Sequence, residues 1–310
     1  MRETRMRRVW GVLMAGALVF TAACGSNSGD DGAAGTGAKS KSQQKTPLDA
    51  VLASSTKTME AKSSKAALML LARGVQGVPG MPGGSIAITG EGAYDYAGRR
   101  GAFTMNIPPL GGMQLGRIEA VSTGSVLYQK FPPQVASALG AKPWVKVDLD
   151  QLGQAVGVDF NVMFQASFGD ATQALQFLRG SGADMVKVGR DQVRGEAVTH
   201  YRGTVDVDKA AAAASPEQQQ TYQKLGQLFA QPLPVEVWID GEERLRKMTY
   251  SVDLAALTLP PQATAGQNPT GTCSFTVELF DFGAPVSVTV PAAEQVTDFA
   301  QLFAAAGGRR

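Results

Sequence analysis

The stretch Pro234-Val235-Glu236-Val237-Trp238-Ile239-Asp240-Gly241 carries the clearest β-hairpin signal in the chain. Apolar residues alternate with other side chains on both sides of Asp240-Gly241. The first arm contains Val235, Val237 and Ile239, and the second contains Met248, Tyr250, Val252 and Leu254. Because Asp-Gly between alternating arms favours a tight turn, the stretch predicts antiparallel strands over residues 234–239 and 244–254. Antiparallel β-structure is therefore the expected basis of the fold.

Most of the remaining chain shows the same two-residue alternation. Further strands are predicted over Lys65–Arg73, Ser85–Tyr96, Phe103–Ile107, Gln114–Ser122, Ser125–Lys130, Trp144–Leu149, from about Asp184, and over Gly195–Val207, Phe275–Phe280 and Pro285–Val290. Gly74–Gly84, which contains Pro79 and Pro82, is predicted to be a mobile loop. Pro132-Pro133 is expected to interrupt the β-structure.

Helices are predicted at only a few interruptions of this pattern. Thr46-Pro47-Leu48-Asp49 combines a capping residue, a first-turn proline and a capping-box partner, so a helix should run from Pro47 to about Ala61. Other helices are predicted for Asp170–Gly180, from Ser215-Pro216-Glu217-Gln218, and for a closing segment with Val296, Phe299 and Phe303. Leu152–Gly182 is otherwise ambiguous, and Ala210–Ala214 fits either a helix or a linker.

The predicted fold class is α+β, because the helices do not alternate with the strands. Short turns between about ten to eleven strands indicate an antiparallel sheet. A sheet of that size must curl or close, so we expect a strongly curved half-barrel with helices covering its concave side.

Composition excludes several classes of protein. Hydrophobic residues make up 44% of the chain, enough for a sizeable core. Removing the first 23 residues, which carry four arginines and one glutamate, would change the formal charge from +2 to −1. Such a balance gives no reason to expect nucleic-acid binding, which needs a basic patch. No later apolar run is long enough to span a membrane.

The first 25 residues have the layout of a secretory signal: a basic start, an uncharged run from Val9 to Phe20, and small residues. The ending Thr21-Ala22-Ala23-Cys24-Gly25 resembles the lipobox of bacterial lipoproteins. That resemblance implies a signal peptide over 1–23, lipidation of Cys24 and a lipid anchor at the extracytoplasmic face of the cell membrane. The alternative is an ordinary signal peptide in which Cys24 is incidental. Residues 24–46 lack large apolar side chains and should form a flexible tether.

Candidate catalytic groups are sparse. His200 is the only histidine, and its strand parity groups it with Arg202, Thr204 and Asp206 on a polar face, so a surface role is expected. Catalytic triads and zinc sites have no support, and no metal or cofactor is predicted. Asp148, Asp150 and Asp159 could pair as carboxylates, as could Asp206 and Asp208, but solvated strand ends explain both groups. Cys273 would have no disulfide partner and is expected to be a buried, inert thiol.

Four segments carry a resemblance to a known family. They are Gly124-Ser125-Val126-Leu127-Tyr128-Gln129-Lys130 with Trp144-Val145-Lys146-Val147-Asp148-Leu149, the hairpin stretch 234–241, and the closing Val286-Ser287-Val288-Thr289-Val290-Pro291. In their order behind the lipobox, they resemble actinobacterial lipoproteins of the mycobacterial LppX/LprG type, related in fold to LolA-like periplasmic lipoprotein carriers. The resemblance implies that residues 47–310 form a lipid-binding domain. It further implies that this domain holds acyl chains of a lipid or glycolipid between sheet and helices and carries the ligand across the envelope.

The family has no strict ligand signature, so candidate cavity residues come from strand parity alone. They are Ile86, Ile88, Phe103, Met105, Val126, Tyr128, Met248, Tyr250 and Val252. A sheet packed on both faces would give the same apolar pattern. A non-enzymatic envelope scaffold or sensor of the same fold, or a hydrolase, therefore remain alternatives to a lipid carrier. We expect a monomer, and the sequence identifies no transporter partner.

Overall fold

The computed structural model describes residues 45–77, 84–109, 114–156, 178, 184–213, 219, 223, 226–227, 229, 231–258 and 268–302. Within these residues the fold is a 12-stranded sheet with helices, which confirms the α+β class. The strands are β1 (Ser63–Gln76), β2 (Ile86–Asp95), β3 (Arg100–Ile107), β4 (Gly116–Thr123), β5 (Val126–Lys130), β6 (Trp144–Asp148), β7 (Val186–Val193), β8 (Glu196–Val205), β9 (Leu233–Asp240), β10 (Leu245–Asp253), β11 (Thr270–Phe280) and β12 (Val296–Asp298).

The sheet is open and almost entirely antiparallel. Its strand order is β12-β6-β5-β4-β3-β2-β1-β11-β10-β9-β8-β7. Consecutive strands are antiparallel neighbours from β1 to β6 and again from β7 to β11. The long strands β1 and β11 join these two halves at the centre of the sheet, and only β12 pairs in parallel, with β6.

Four α-helices have described bounds: α1 (Pro47–Glu60), α2 (Pro133–Leu139), α3 (Leu149–Val156) and α4 (Val207–Ala213). Helix α1 begins with the predicted capping box, in which the Thr46 side chain accepts from the Asp49 N–H and Asp49 accepts from the Thr46 N–H. Thr58 joins the other end of α1 to the sheet, because its Oγ1 accepts a 2.9 Å hydrogen bond from the Leu245 N–H.

The two faces of the sheet differ in chemistry. We call the face that contacts α1 the inner face; there Val51 packs in one apolar cluster with Leu68, Met248 and Phe275. A second cluster on this face joins Ile86, Ile118 and Val145 to Val135 of α2. The opposite, outer face carries polar pairs such as Thr249–Thr276 and Ser251–Ser274, each 2.9 Å apart. One apolar and one polar face is the usual pattern of an antiparallel sheet.

Some predicted boundaries are wrong. Pro285–Val290 forms no strand, because β1 and β10 already occupy both edges of β11 and Gly283, at a φ of +78°, turns the chain away. Val296 does not begin a closing helix; Val296–Asp298 pairs with β6, and helical residues start at Phe299. The sheet has 12 strands, one or two more than the ten to eleven expected, and the short edge strand β12 is the one that the sequence did not predict.

Helices α2 and α4 lie where the sequence predicts a break or an ambiguous segment between strands. Pro132-Pro133 does not simply end β-structure, since Pro133 occupies the first turn of α2, where its missing N–H costs nothing. Strand β8 ends at Val205, two residues before its predicted end, because the Asp206 side chain accepts from the Lys209 N–H at the start of α4. Helix α4 thereby resolves the choice between helix and linker for most of Ala210–Ala214.

Several predictions fall outside the described residues. These are the signal peptide, Cys24 and the tether, most of the loop after Gln76, Asp159, the helix start at Ser215 and the closing Phe303. Of the predicted helix Asp170–Gly180 only Leu178 is described; it is helical and fully buried. No helix among the described residues is both long and apolar enough to cross a membrane.

Candidate ligand-binding face

Strand register brings seven of the nine predicted cavity residues to the inner face. Ile88 lies opposite Leu70, which lies opposite Phe275, which in turn lies opposite Tyr250. The remaining inner-face candidates follow the same register: Ile86, Phe103, Met105, Met248 and Val252. The face chosen by parity within each separate strand therefore becomes one continuous surface across β3, β2, β1, β11 and β10.

Val126 and Tyr128 lie on the outer face. Leu127 pairs with Ser122, and Ser122 shares its side of β4 with Ala120, the partner of Phe103. Leu127 and Gln129 are therefore the inner-face residues of β5, and the structure separates Val126 and Tyr128 from the other candidates. Parity alone could not reveal this, because it groups residues within one strand and leaves open how neighbouring strands are aligned.

Phe103 lies across two glycines on neighbouring strands. A Cβ at Gly92 would lie 2.7 Å from Phe103 Cγ, and a Cβ at Gly101 would lie 2.9 Å from its Cε2. Both distances are shorter than real Cβ contacts, so only glycine leaves room for the ring. Phe103 is 5% exposed and belongs to the wall of the inner face rather than to an open surface.

Six apolar side chains of the inner face are only half-buried, although they lie away from the edges of the sheet. We call them the apolar strip: Leu70, Ile88, Met105, Ile107, Val252 and Cys273. Cross-strand pairs such as Leu70–Ile88 and Cys273–Val252 place them side by side. Fully buried residues flank them, including Leu68, Ala72 and Phe275. The inner face thus contains a band that its own helices leave partly uncovered.

The groups around the apolar strip are uncharged. Tyr250 and Phe275 stack beside it with ring centroids 5.2 Å apart. Burial raises the pKa of the Cys273 thiol, which keeps the thiol protonated at neutral pH. Such a surface suits a hydrocarbon, and the described residues of the inner face offer no charged group to an ionic ligand there.

His200 lies on the outer face, as predicted, but it is not a freely solvated histidine. Its side chain is 12% exposed and stacks on Trp238, with ring centroids 4.3 Å apart and planes 3° from parallel. Its Nε2 lies 3.3 Å from Glu236 Oε2, and Trp238 Nε1 donates to Asp191. Strand parity located the face correctly but could not show that Trp238 would cover the ring.

The turn after β9 holds the most enclosed charges found in the described part of the chain. Asp240 accepts hydrogen bonds from the Arg244 and Arg246 Nε atoms at 3.0 and 2.7 Å. Burial opposes ionisation of Asp240, but these bonds and the Arg244 N–H hold the pKa of the carboxyl below its usual value. Both guanidinium groups also lie over the Phe282 ring. This cluster fixes the hairpin on which α1 packs.

Comparison with solved structures finds two mycobacterial lipoproteins that are distantly similar to this chain. No protein-family profile matches the chain. Among solved structures, the Mycobacterium tuberculosis lipoprotein LppX is 14% identical, with a TM-score of 0.42 over 77% of this chain and 98% of that one. LprF from Mycobacterium bovis is 15% identical, with a TM-score of 0.40 over 80% of this chain and 97% of its own. Both are lipoproteins of the type that the sequence resembles.

Two curated relatives come from Streptomyces. An uncharacterised 31.2 kDa protein of Streptomyces griseus is 29% identical over 62% of this chain. A Streptomyces coelicolor protein described as a "putative lipoprotein" is 25% identical over 71% of this chain. The matches span 60% and 63% of the length of these two relatives.

Proposed function

We propose that this chain is a membrane-anchored extracytoplasmic lipoprotein whose inner face binds acyl chains of a lipid or glycolipid and carries that ligand across the cell envelope. The observation that carries the proposal is the apolar strip. Its side chains are uncharged, adjacent in register and incompletely covered, although they lie among fully buried residues of the inner face. Leaving such a band in water is unfavourable, so a hydrocarbon ligand would be stabilised there.

The energy available is sufficient for a retained ligand. Transfer of hydrocarbon from water contributes about 0.8 kcal/mol per buried CH₂. A sixteen-carbon chain could therefore gain on the order of 10 kcal/mol before its ordering costs are subtracted.

The anchor is proposed from the sequence of the first 25 residues. Lipidation of Cys24 would attach the domain to the membrane through more than one acyl chain, as stable anchoring requires. The description of the Streptomyces coelicolor relative as a lipoprotein agrees with this. The carrier would act without catalysis: the described polar clusters around Asp240 and His200 have structural partners, and neither adjoins the apolar strip.

The experiment uses a Cys24→Ser chain, which removes the covalent lipid and leaves only what the domain binds. The purified protein is extracted with organic solvent and the extract is analysed by mass spectrometry. An acyl lipid at a near one-to-one ratio supports the carrier. An extract free of lipid would favour the scaffold or sensor alternative.

A further inference from the structure

A second candidate site lies on the outer face, at the centre of the sheet. Here two neighbouring cross-strand rows form a groove of about 490 Å³. The first row is Arg117, Asn106, Thr89, Met69 and Thr276, and the second is Thr104, Glu91, Ala67 and Glu278. The rows cross five strands, so the groove is about 19 Å long at the usual strand spacing.

The groove has a low floor and polar walls. Ala67 lies between Glu91 and Glu278 in the second row, so the backbone positions of the two glutamates are about two strand spacings, or roughly 9.6 Å, apart. Met69, whose side chain is 39% exposed, provides one apolar platform in the first row. The remaining lining consists of Leu68, Gly90, three threonine hydroxyls, one amide and one guanidinium.

Some wall groups are held in place and others are free to bind. Arg117 donates to Thr104 Oγ1 at 3.2 Å, and Glu278 accepts from Arg194 Nε at 2.9 Å. By contrast, the side chains of Glu91, Asn106 and Thr89 have no hydrogen-bond or ion-pair partner anywhere in the described residues. The paired groups need little ordering on binding, whereas the unpaired groups are available to hydrogen-bond a polar ligand at the cost of ordering their side chains.

The lining excludes several ligand classes. A hydrocarbon would contact Ala67, Leu68 and Met69, but it would also cover the charged and polar groups of both rows, which is unfavourable. An anion would be repelled by two carboxylates and attracted by a single guanidinium. A cation would be attracted by the carboxylates but repelled by the guanidinium, so it is not attracted uniformly along the groove. A peptide cannot add as a strand, because β1, β2, β3 and β11 already pair on both sides.

We propose that this outer-face groove binds a neutral carbohydrate. Each sugar ring offers hydroxyls that both donate and accept, which matches a lining of carboxylate, amide, hydroxyl and guanidinium groups. The C–H face of a ring can pack on Met69. A groove open along its length suits several linked sugar units. The site is independent of the acyl-binding apolar strip, because it lies on the opposite face of the sheet.

The test is saturation-transfer NMR on the full-length Cys24→Ser protein. The probes are cellotriose, mannotriose and chitotriose, with trigalacturonic acid as the anionic comparison. At least one neutral trisaccharide should bind, and trigalacturonic acid should not. Thr89→Trp, which fills the groove from an exposed position, should weaken binding about tenfold or more. Thr204→Trp, at an exposed outer-face threonine outside the groove, should leave it unchanged.

Asn106→Ala with Arg117→Ala provides a second variant that removes polar partners without adding bulk, and it should weaken binding as well. Two results overturn the proposal: no neutral trisaccharide binds, or binding survives both groove variants. Ile88 lies in the apolar strip on the opposite face, so Ile88→Trp should leave sugar binding unchanged. This variant therefore distinguishes a failure of the carrier proposal from a failure of the carbohydrate proposal.

Discussion

At the scale of single residues, the outer face carries the stacked pair His200–Trp238. We predict that His200→Ala lowers the free energy of unfolding by about 0.5–1.5 kcal/mol, because a close ring contact is lost. Urea unfolding followed by circular dichroism measures this. Arg202→Ala removes the neighbouring exposed ion pair to the same Glu236 and should change stability by less than about 0.5 kcal/mol. Equal losses in the two variants would contradict the importance of stacking.

Asp240 should be far more sensitive than an exposed aspartate. Its side chain is 5% exposed, and Asp240→Asn would leave Arg244 and Arg246 without their shared carboxylate. Breaking such an enclosed pair costs about 3 kcal/mol. The matched control is Asp281→Asn, whose partner Lys65 is half exposed and whose loss should be nearly neutral.

The same residue predicts a dependence on pH. The folded-state pKa of Asp240 is lowered, so its ionised form stabilises the fold above the unfolded pKa of about 3.9. That contribution is lost as the pH falls through the lower folded-state value. The stability gap between the natural chain and Asp240→Asn should therefore be constant near neutral pH and shrink below about pH 4. A gap that stays constant down to pH 2 would contradict the proposed role of ionisation.

At the scale of elements, the capping box decides how α1 begins. Thr46→Ala removes the acceptor for the Asp49 N–H and should cost about 1 kcal/mol, whereas Thr46→Ser keeps the hydroxyl and should cost little. Thermal unfolding of the two variants makes the comparison. If Thr46→Ser is as destabilised as Thr46→Ala, the side-chain hydrogen bond is not what stabilises the start of the helix.

How far the sequence predicts each element depends on whether the decisive interaction is local. The α1 capping box and the turn at Asp240-Gly241 are local, and both were predicted. Whether Val286-Ser287-Val288 forms a strand is not decided by local sequence. The segment has strand-like alternation, but β1 and β10 already pair with both edges of β11. The short strand Val296–Asp298 exists only because β6 lies beside it.

The candidate site shows the same limit. Parity correctly grouped Ile86 with Ile88 and Phe103 with Met105, because each pair lies within one strand. The side of Val126 and Tyr128 depends on the pairing of Ser122 with Leu127, which no pattern within β5 reveals. The outer-face groove was missed for a related reason, since its polar residues come from five strands and form no motif in the sequence.

At the scale of the whole molecule, the anchor is testable separately from the ligand. Mature protein extracted from membranes should lack residues 1–23 and carry a diacylglyceryl group on Cys24. Intact mass spectrometry measures both features, and Cys24→Ser should move the protein out of the membrane fraction. A chain cleaved at this position without added acyl mass would show that Cys24 belongs to an ordinary signal peptide.

The most direct test of the carrier account compares Ile88→Trp with Val126→Trp in the unanchored chain. Both positions are half-buried β-branched residues in strands, but Ile88 lies in the apolar strip and Val126 lies on the outer face. The amount of acyl lipid per protein, measured by mass spectrometry after solvent extraction, should fall strongly in Ile88→Trp and stay at the unsubstituted level in Val126→Trp. Equal lipid content in both folded variants, or a loss confined to Val126→Trp, would contradict an acyl-binding inner face.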